Sequence, residues 1–136
     1  MNVAKKMTKT VKTFVGFWSV EDARKNPRSI FVFGDNDIHV GKGGQATIRD
    51  EPNAFGIPTK KAPSLRESAF YTDDDFSDNV EKIDKAVVNL MNGILSPKYD
   101  NIYLPENGLG TGLAQLDTRA PRTFKYLLER VKEISG

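Results

Sequence analysis

Cysteine is absent from this chain of 136 residues, which excludes disulfides, thiolate metal sites and a cysteine nucleophile, and fits a reducing compartment. Histidine occurs once, at His39, so a multi-histidine metal centre is excluded. Long apolar runs are missing too. Stretches such as Ser29 to Phe33 are far too short to span a bilayer, and the start Met1-Asn2-Val3-Ala4-Lys5-Lys6 lacks the apolar core of a signal peptide. The expected setting is cytoplasmic, with no membrane partner. Net charge is only +2, its positive excess gathered at Lys5, Lys6, Lys9 and Lys12. Two readings of that cluster stand: a contact with nucleic acid, and, as the default, a frayed and solvated terminus.

What is present suffices for one core. A hydrophobic fraction of 38% and a charged fraction of 28% suit a single globular domain, expected over residues 11–136 behind a flexible basic segment, 1–10. Val11 to Val15 reads as a strand, and Ser19 opens a helix that Pro27 ends. Ser29 to Phe33 is a continuous β-branched and aromatic run, the pattern of a strand buried on both faces, stopped by Gly34. Gln45 to Arg49 is a helical turn. Asn53 to Lys60 and Asn101 to Pro105 read as two further inner strands, with Pro58 near the end of the first.

Ala62 to Phe76 has the chemistry of a surface loop. Ser77 to Leu95 carries Val80, Ile83, Val87, Leu90, Met91 and Ile94 on one helical stripe, with Asp78 and Glu81 as a capping pair. A last helix starts near Thr118, holds Pro121 in its first turn and repeats Phe124, Leu127, Leu128, Val131 and Ile134. Strands alternating with helices predict an α/β fold with a largely parallel sheet, whose ligands bind at the carboxyl ends of the strands.

Two glycine-rich loops fall at that edge. The first runs Gly34-Asp35-Asn36 and then, after His39, Gly41-Lys42-Gly43-Gly44-Gln45. The second runs Glu106-Asn107-Gly108-Leu109-Gly110-Thr111-Gly112-Leu113. Glycines allow positive φ and bring backbone N–H groups close to an anion, and a following helix start adds partial positive charge. Neither loop has the Gly-Lys-Ser/Thr ending of a Walker motif, nor Gly-x-Gly-x-x-Gly, which disfavours nucleoside triphosphate hydrolysis. Two anion-ready loops on one edge suit a diphosphate.

Around them, several side chains have two open readings. Asp35 is either an acceptor for an adenine amino group or ribose hydroxyl, or an Asx turn that ends the strand, and Asn36 is equally ambiguous. Lys60 and Lys61 are either phosphate partners, with a desolvated lysine acting as nucleophile, or solvated strand-end residues. Arg49, Asp50 and Asn53 rank below the loops as cleft residues, and His39 is either a general base or, as the default for a lone histidine in a loop, incidental. The Asp73 to Asp75 run reads as a helix cap rather than a metal site. Phe70, Tyr71 and Phe76 are offered to stack on an adenine or distal ribose, whereas Phe14, Phe17 and Trp18 are expected to pack the first strand.

Gly34-Asp35 at a strand end, the loop from Gly41 to Gln45, Thr59-Lys60-Lys61, and Leu104-Pro105 leading into Gly108-x-Gly110 together resemble the macro domain family. The closest pattern is its branch that removes ADP-ribose from modified carboxylate side chains. The resemblance runs from about Ser29 to the C-terminus. It implies a three-layer α/β/α fold with a mixed, largely parallel sheet, an ADP-ribose cleft with no metal or required cofactor, and an ADP-ribosylated macromolecule as partner. It places Asp35 at the adenine, Gly41 to Gln45 around one phosphate and the distal ribose, and Gly108 to Leu113 around the diphosphate.

In that branch a lysine matching Lys60 attacks the anomeric carbon and a loop aspartate assists. Here Gly112 stands where that aspartate is expected, and Asp117 and Glu106 are the nearest acids. Three functions follow as expectations: ADP-ribosyl hydrolysis through Lys60, a non-catalytic reader of ADP-ribose-type ligands, and a nucleic-acid-binding module.

Overall fold

The computed structural model describes residues 9–135. Lys5 and Lys6 of the basic stretch lie outside the described residues. Lys9 does not fray: its ammonium donates to the Ser96 carbonyl at 2.5 Å. Thr10 already begins β1 (Thr10–Phe14).

The chain continues through α1 (Val20–Lys25), β2 (Ser29–Asn36), a 3-10 turn (Gly44–Ile48) and β3 (Ala54–Lys60). After two short 3-10 turns come α2 (Phe76–Leu95), β4 (Asn101–Pro105), α3 (Leu116–Arg119) and α4 (Pro121–Ser135). The sheet order is β1-β4-β2-β3 and every strand pairing is parallel. The antiparallel component of the expected mixed sheet is an isolated bridge between Lys60 and Phe70. No helix among the described residues is long and apolar enough to cross a membrane.

The alternation of side chains along β2 divides the core. Ile30 and Val32 point to one face, where they meet Ile83, Val87, Leu90 and Ile94 of α2 and Leu127 of α4. Phe31 and Phe33 point to the other, against Trp18, Ala23 of α1, and Ala46 and Ile48 of the 3-10 turn. A strand hydrophobic on both faces is therefore covered by a helical layer on each. Each fully buried Ile, Leu or Phe contributes ~1.5–3 kcal/mol relative to an exposed one, so this sandwich is the main source of stability. On the second face Phe31 packs against Trp18 and Tyr103 with ring centroids 5.4 and 5.1 Å apart.

Four expectations are corrected. β2 does not stop at Gly34 but runs to Asn36, because Gly34 still pairs with Ile57 and the register shifts only between Asp35 and Asn36. β3 is an edge strand rather than an inner one, pairing with β2 alone among the strands; an edge tolerates Pro58, which has no N–H to offer a ladder. At the start of α2, Asp78 and Glu81 form no capping pair. The 3-10 turn Asp73–Asp75 feeds directly into the helix, so Asp78 already lies in its first turn. The last helix is split in two, since Pro121 disfavours helical geometry at Ala120, whose φ is −143°.

The acidic run does not cap the adjacent α2, where Asp75 makes no side-chain capping bond; Asp73 caps the distant α4 instead. Its carboxylate accepts from the N–H groups of Arg122 and Thr123 and from the Thr123 hydroxyl. Burial would raise its pKa, but these hydrogen bonds outweigh it and hold the carboxyl below its ordinary value.

Asn53, expected near the cleft, is instead a buried brace between α1 and β2. Its side-chain amide nitrogen lies within 3.0 Å of the carbonyls of Ala23, Asn26 and Ser29. Asn53→Ala leaves those acceptors without their donor, and urea unfolding should show a loss of ~2–3 kcal/mol with an unchanged slope.

Candidate functional site

A cleft of about 660 Å³ opens at the carboxyl ends of β2 and β4, where a parallel sheet presents its loops. The loop after β2 forms one wall and the loop after β4 the other. Their glycines adopt left-handed backbone geometry, with φ of +92° at Gly41, +56° at Gly44, +80° at Gly108 and +81° at Gly110, which side chains rarely permit. At Gly110 a Cβ would also lie 3.0 Å from Leu116. Among the described residues, the N–H groups of Gly43, Gly44, Gln45, Thr111, Gly112 and Leu113 donate to no protein acceptor. Each wall thus carries a row of free backbone donors.

Gln45 sets the distance between the walls. Its Oε1 accepts from the Gly34 N–H and its Nε2 donates to the Gly108 carbonyl, both at 2.9 Å. Its own backbone carbonyl receives the Trp18 indole N–H at 2.9 Å. Gln45 was expected to touch a ligand, and it lines the cleft, but both ends of its amide are spent on joining β2 to the second loop.

Asp35 and Asn36 line the cleft and are buried. Asp35 is ion-paired to Arg49 and bonded to His39 Nδ1 at 2.7 Å. Arg49 in turn donates to the carbonyls of Gly41 and Val40, fastening the first loop. His39, a non-glycine residue at φ +56°, makes this contact with Asp35 from its own loop. Asn36 makes the local turn, accepting from the Ile38 N–H and donating to the Val40 carbonyl. Asn36 thus makes the Asx turn that one of its readings offered, whereas Asp35 makes none: its carboxylate is taken by Arg49 and His39, and the strand runs past it to Asn36.

Lys60 lines the cleft and is only 8% exposed. Its Nζ donates to the Ser64 carbonyl at 2.6 Å and lies 4.5 Å from the centre of the Phe70 ring. Burial lowers its pKa, and the Arg119 guanidinium lowers it further. Lys60 is therefore not a solvated strand-end residue, whereas Lys61 is paired at the surface with Asp75. Among the described residues no carboxylate stands within ion-pairing distance of Lys60. Glu106 lines the cleft, with Oε2 accepting from the Gly16 N–H at 2.7 Å. Asp117 lies in the first turn of α3, outside the cleft lining.

Of the expected ligand residues, Gly34, Gly41, Gly43, Gly44, Asn107, Gly110, Thr111, Gly112 and Leu113 also line the cleft. Gly108 and Leu109 do not. Leu109 is buried in the core, and Gly108 serves as the turn that Gln45 holds. Phe70 and Tyr71 are 1% exposed and closed to stacking: Arg119 lies over the Phe70 ring, and the Tyr71 hydroxyl is bonded to Asp37. Phe76 packs on Tyr126 and under Arg122. Phe17, assigned to the core by composition alone, is exposed at the cleft mouth. Its signal was the preceding Gly16, whose φ of +81° turns the chain between β1 and α1.

A family described as one of unknown function, DUF7831, matches residues 13–130, and the chain belongs to that family. The matched span takes in both loops, Lys60 and all but the last residues of α4. No curated protein and no solved structure matches the chain.

The environment of Lys60 makes a reactivity prediction. Under limiting acetic anhydride across a pH series, mass spectrometry should find Lys60 acetylated from a lower pH than exposed Lys85. Arg119→Gln removes a cation that opposes the ammonium form, so the onset at Lys60 should move to higher pH. An onset equal to that of Lys85 in the wild type would show that burial does not favour the free amine.

Proposed function

We propose that this protein is a macro-domain-like binder of ADP-ribose or a related NAD-derived nucleotide, with the diphosphate between the two glycine loops. One observation carries the reading: residues whose backbone N–H groups have no protein acceptor among the described residues line one cleft from two walls, whose spacing Gln45 holds. Oriented N–H groups of this kind bind phosphate oxygens. The resemblance of both loops, Lys60 and the Leu104-Pro105 junction to that family supports the same ligand, as do a parallel sheet with a helical layer on each face and a cleft volume within the range of small-molecule sites.

The charges of the cleft favour a diphosphate substituted at both ends over a terminal triphosphate. Arg49 is neutralised by Asp35, and Glu106 offsets Lys60, so attraction rests on backbone dipoles rather than on a cluster of cations. A ligand of lower charge is then better matched.

Calorimetry with ADP-ribose, AMP and ATP tests the reading, with ADP-ribose expected to bind best; no heat with any of them sinks it. Gly43→Asp supplies a sharper probe. Gly43 has φ −79°, open space where a Cβ would stand, and the capping position of the 3-10 turn. An aspartate there is a good cap whose carboxylate satisfies the free N–H groups internally. Thermal stability should hold or rise while ADP-ribose affinity falls about tenfold or more, the loss of roughly 1.4 kcal/mol.

Catalysis and reading are separated by a second assay. The lowered pKa of Lys60 suits a nucleophile, while the lack of a neighbouring carboxylate among the described residues favours a non-catalytic reader. Protein modified with ADP-ribose on glutamate, incubated with wild type and with Lys60→Ala, decides between them. Release by the wild type alone assigns catalysis to Lys60; binding without release by either assigns the reader role.

A further inference from the structure

The mouth of the cleft carries an aromatic side chain that nothing in the fold uses. Phe17 is 86% exposed, the most exposed of the large hydrophobic side chains among the described residues, yet it lines the cleft. Leaving so large an apolar surface in water is unfavourable, and an exposed apolar group beside a cleft marks a contact site.

Its position is imposed by both neighbours. Gly16 turns the chain at φ +81° and its N–H is bonded to Glu106 of the second loop at 2.7 Å. On the other side Trp18 is buried against Phe14 and Phe31, with its indole N–H bonded to the Gln45 carbonyl. With Trp18 anchored inward and Gly16 tied to the far wall, Phe17 stands outside the core at the cleft. Leu113, another strongly exposed apolar residue, lines the same cleft from the second loop.

The side chain expected to read a base edge is not free to do so, since Asp35 is committed to Arg49 and His39. We infer that Phe17 is the platform on which the base of the bound nucleotide stacks, so that the site takes the base by its face and tolerates adenine and guanine alike. This inference rests on the diphosphate reading above. A ring face offers attraction to any base, in proportion to stacked area rather than to its donor and acceptor pattern. The ligand class is therefore a nucleoside diphosphate substituted at its far end, purines ahead of pyrimidines, with the diphosphate held between the loops.

The experiment compares wild type, Phe17→Ala and Phe17→Tyr by calorimetry with ADP-ribose, ADP, GDP, UDP and inorganic pyrophosphate. Quenching of Trp18, the single tryptophan of the chain, gives a second readout. Because Phe17 packs little, both variants should melt with the wild type. Phe17→Ala should bind ADP-ribose and ADP about tenfold more weakly with pyrophosphate unchanged, and Phe17→Tyr should restore the affinity. In the wild type ADP and GDP should bind equally and UDP more weakly.

Equal ADP-ribose affinity in wild type and Phe17→Ala overturns the platform while leaving the diphosphate reading intact. An equal fall for pyrophosphate also overturns it, by showing that Phe17 acts through the loops. A strong preference of the wild type for ADP over GDP overturns recognition by the face. Failure of the wild type to bind any of the five overturns the diphosphate reading, and the platform with it.

Discussion

The geometry of the cleft depends on one side-chain amide. Gln45 satisfies a donor at the end of β2 and an acceptor in the loop after β4 with its two polar ends, while its backbone carbonyl anchors Trp18. Three segments distant in sequence are thereby fixed to one another: the strand end, the second glycine loop and the β1–α1 connection. A primary amide is suited to this, since it presents an acceptor and a donor at fixed separation. No charged side chain would serve both partners.

Around that bridge the loops are held by a second set of bonds that leave their N–H groups free. Arg49, paired with buried Asp35, takes the carbonyls of Val40 and Gly41. In the second loop the Thr111 hydroxyl donates to the Asn107 carbonyl, and the Gly110 carbonyl accepts from Leu116. Carbonyls are consumed inside the protein and amides are left over. The proposed binding of an anion rests on this asymmetry rather than on net charge.

Much of the fold was legible in the chain because its cause is local. The Ser29 to Phe33 run, the stripe of α2 from Ile83 to Ile94 and the capping serine of α1 are set by side-chain periodicity and short-range hydrogen bonds. The misplaced features have nonlocal causes. β3 became an edge strand because β4 inserts between β1 and β2, an order that no local pattern encodes. Asn53, expected near the cleft, became a buried brace because its amide reaches carbonyls of Ala23, Asn26 and Ser29 in other segments.

For the site, the sequence by itself determined that two glycine-rich loops follow two strands, with Lys60 at the end of a third, since glycine and strand patterns are read residue by residue. Only the tertiary structure decided what each polar group is free to do. Asp35 and Gln45 are committed to protein partners, Phe70 and Tyr71 are sealed in the core, and Phe17 is exposed. The physical reason is that burial and hydrogen-bond commitment belong to pairs of residues, and the partners here include Arg49, 14 positions from Asp35, and Gly108, 63 positions from Gln45.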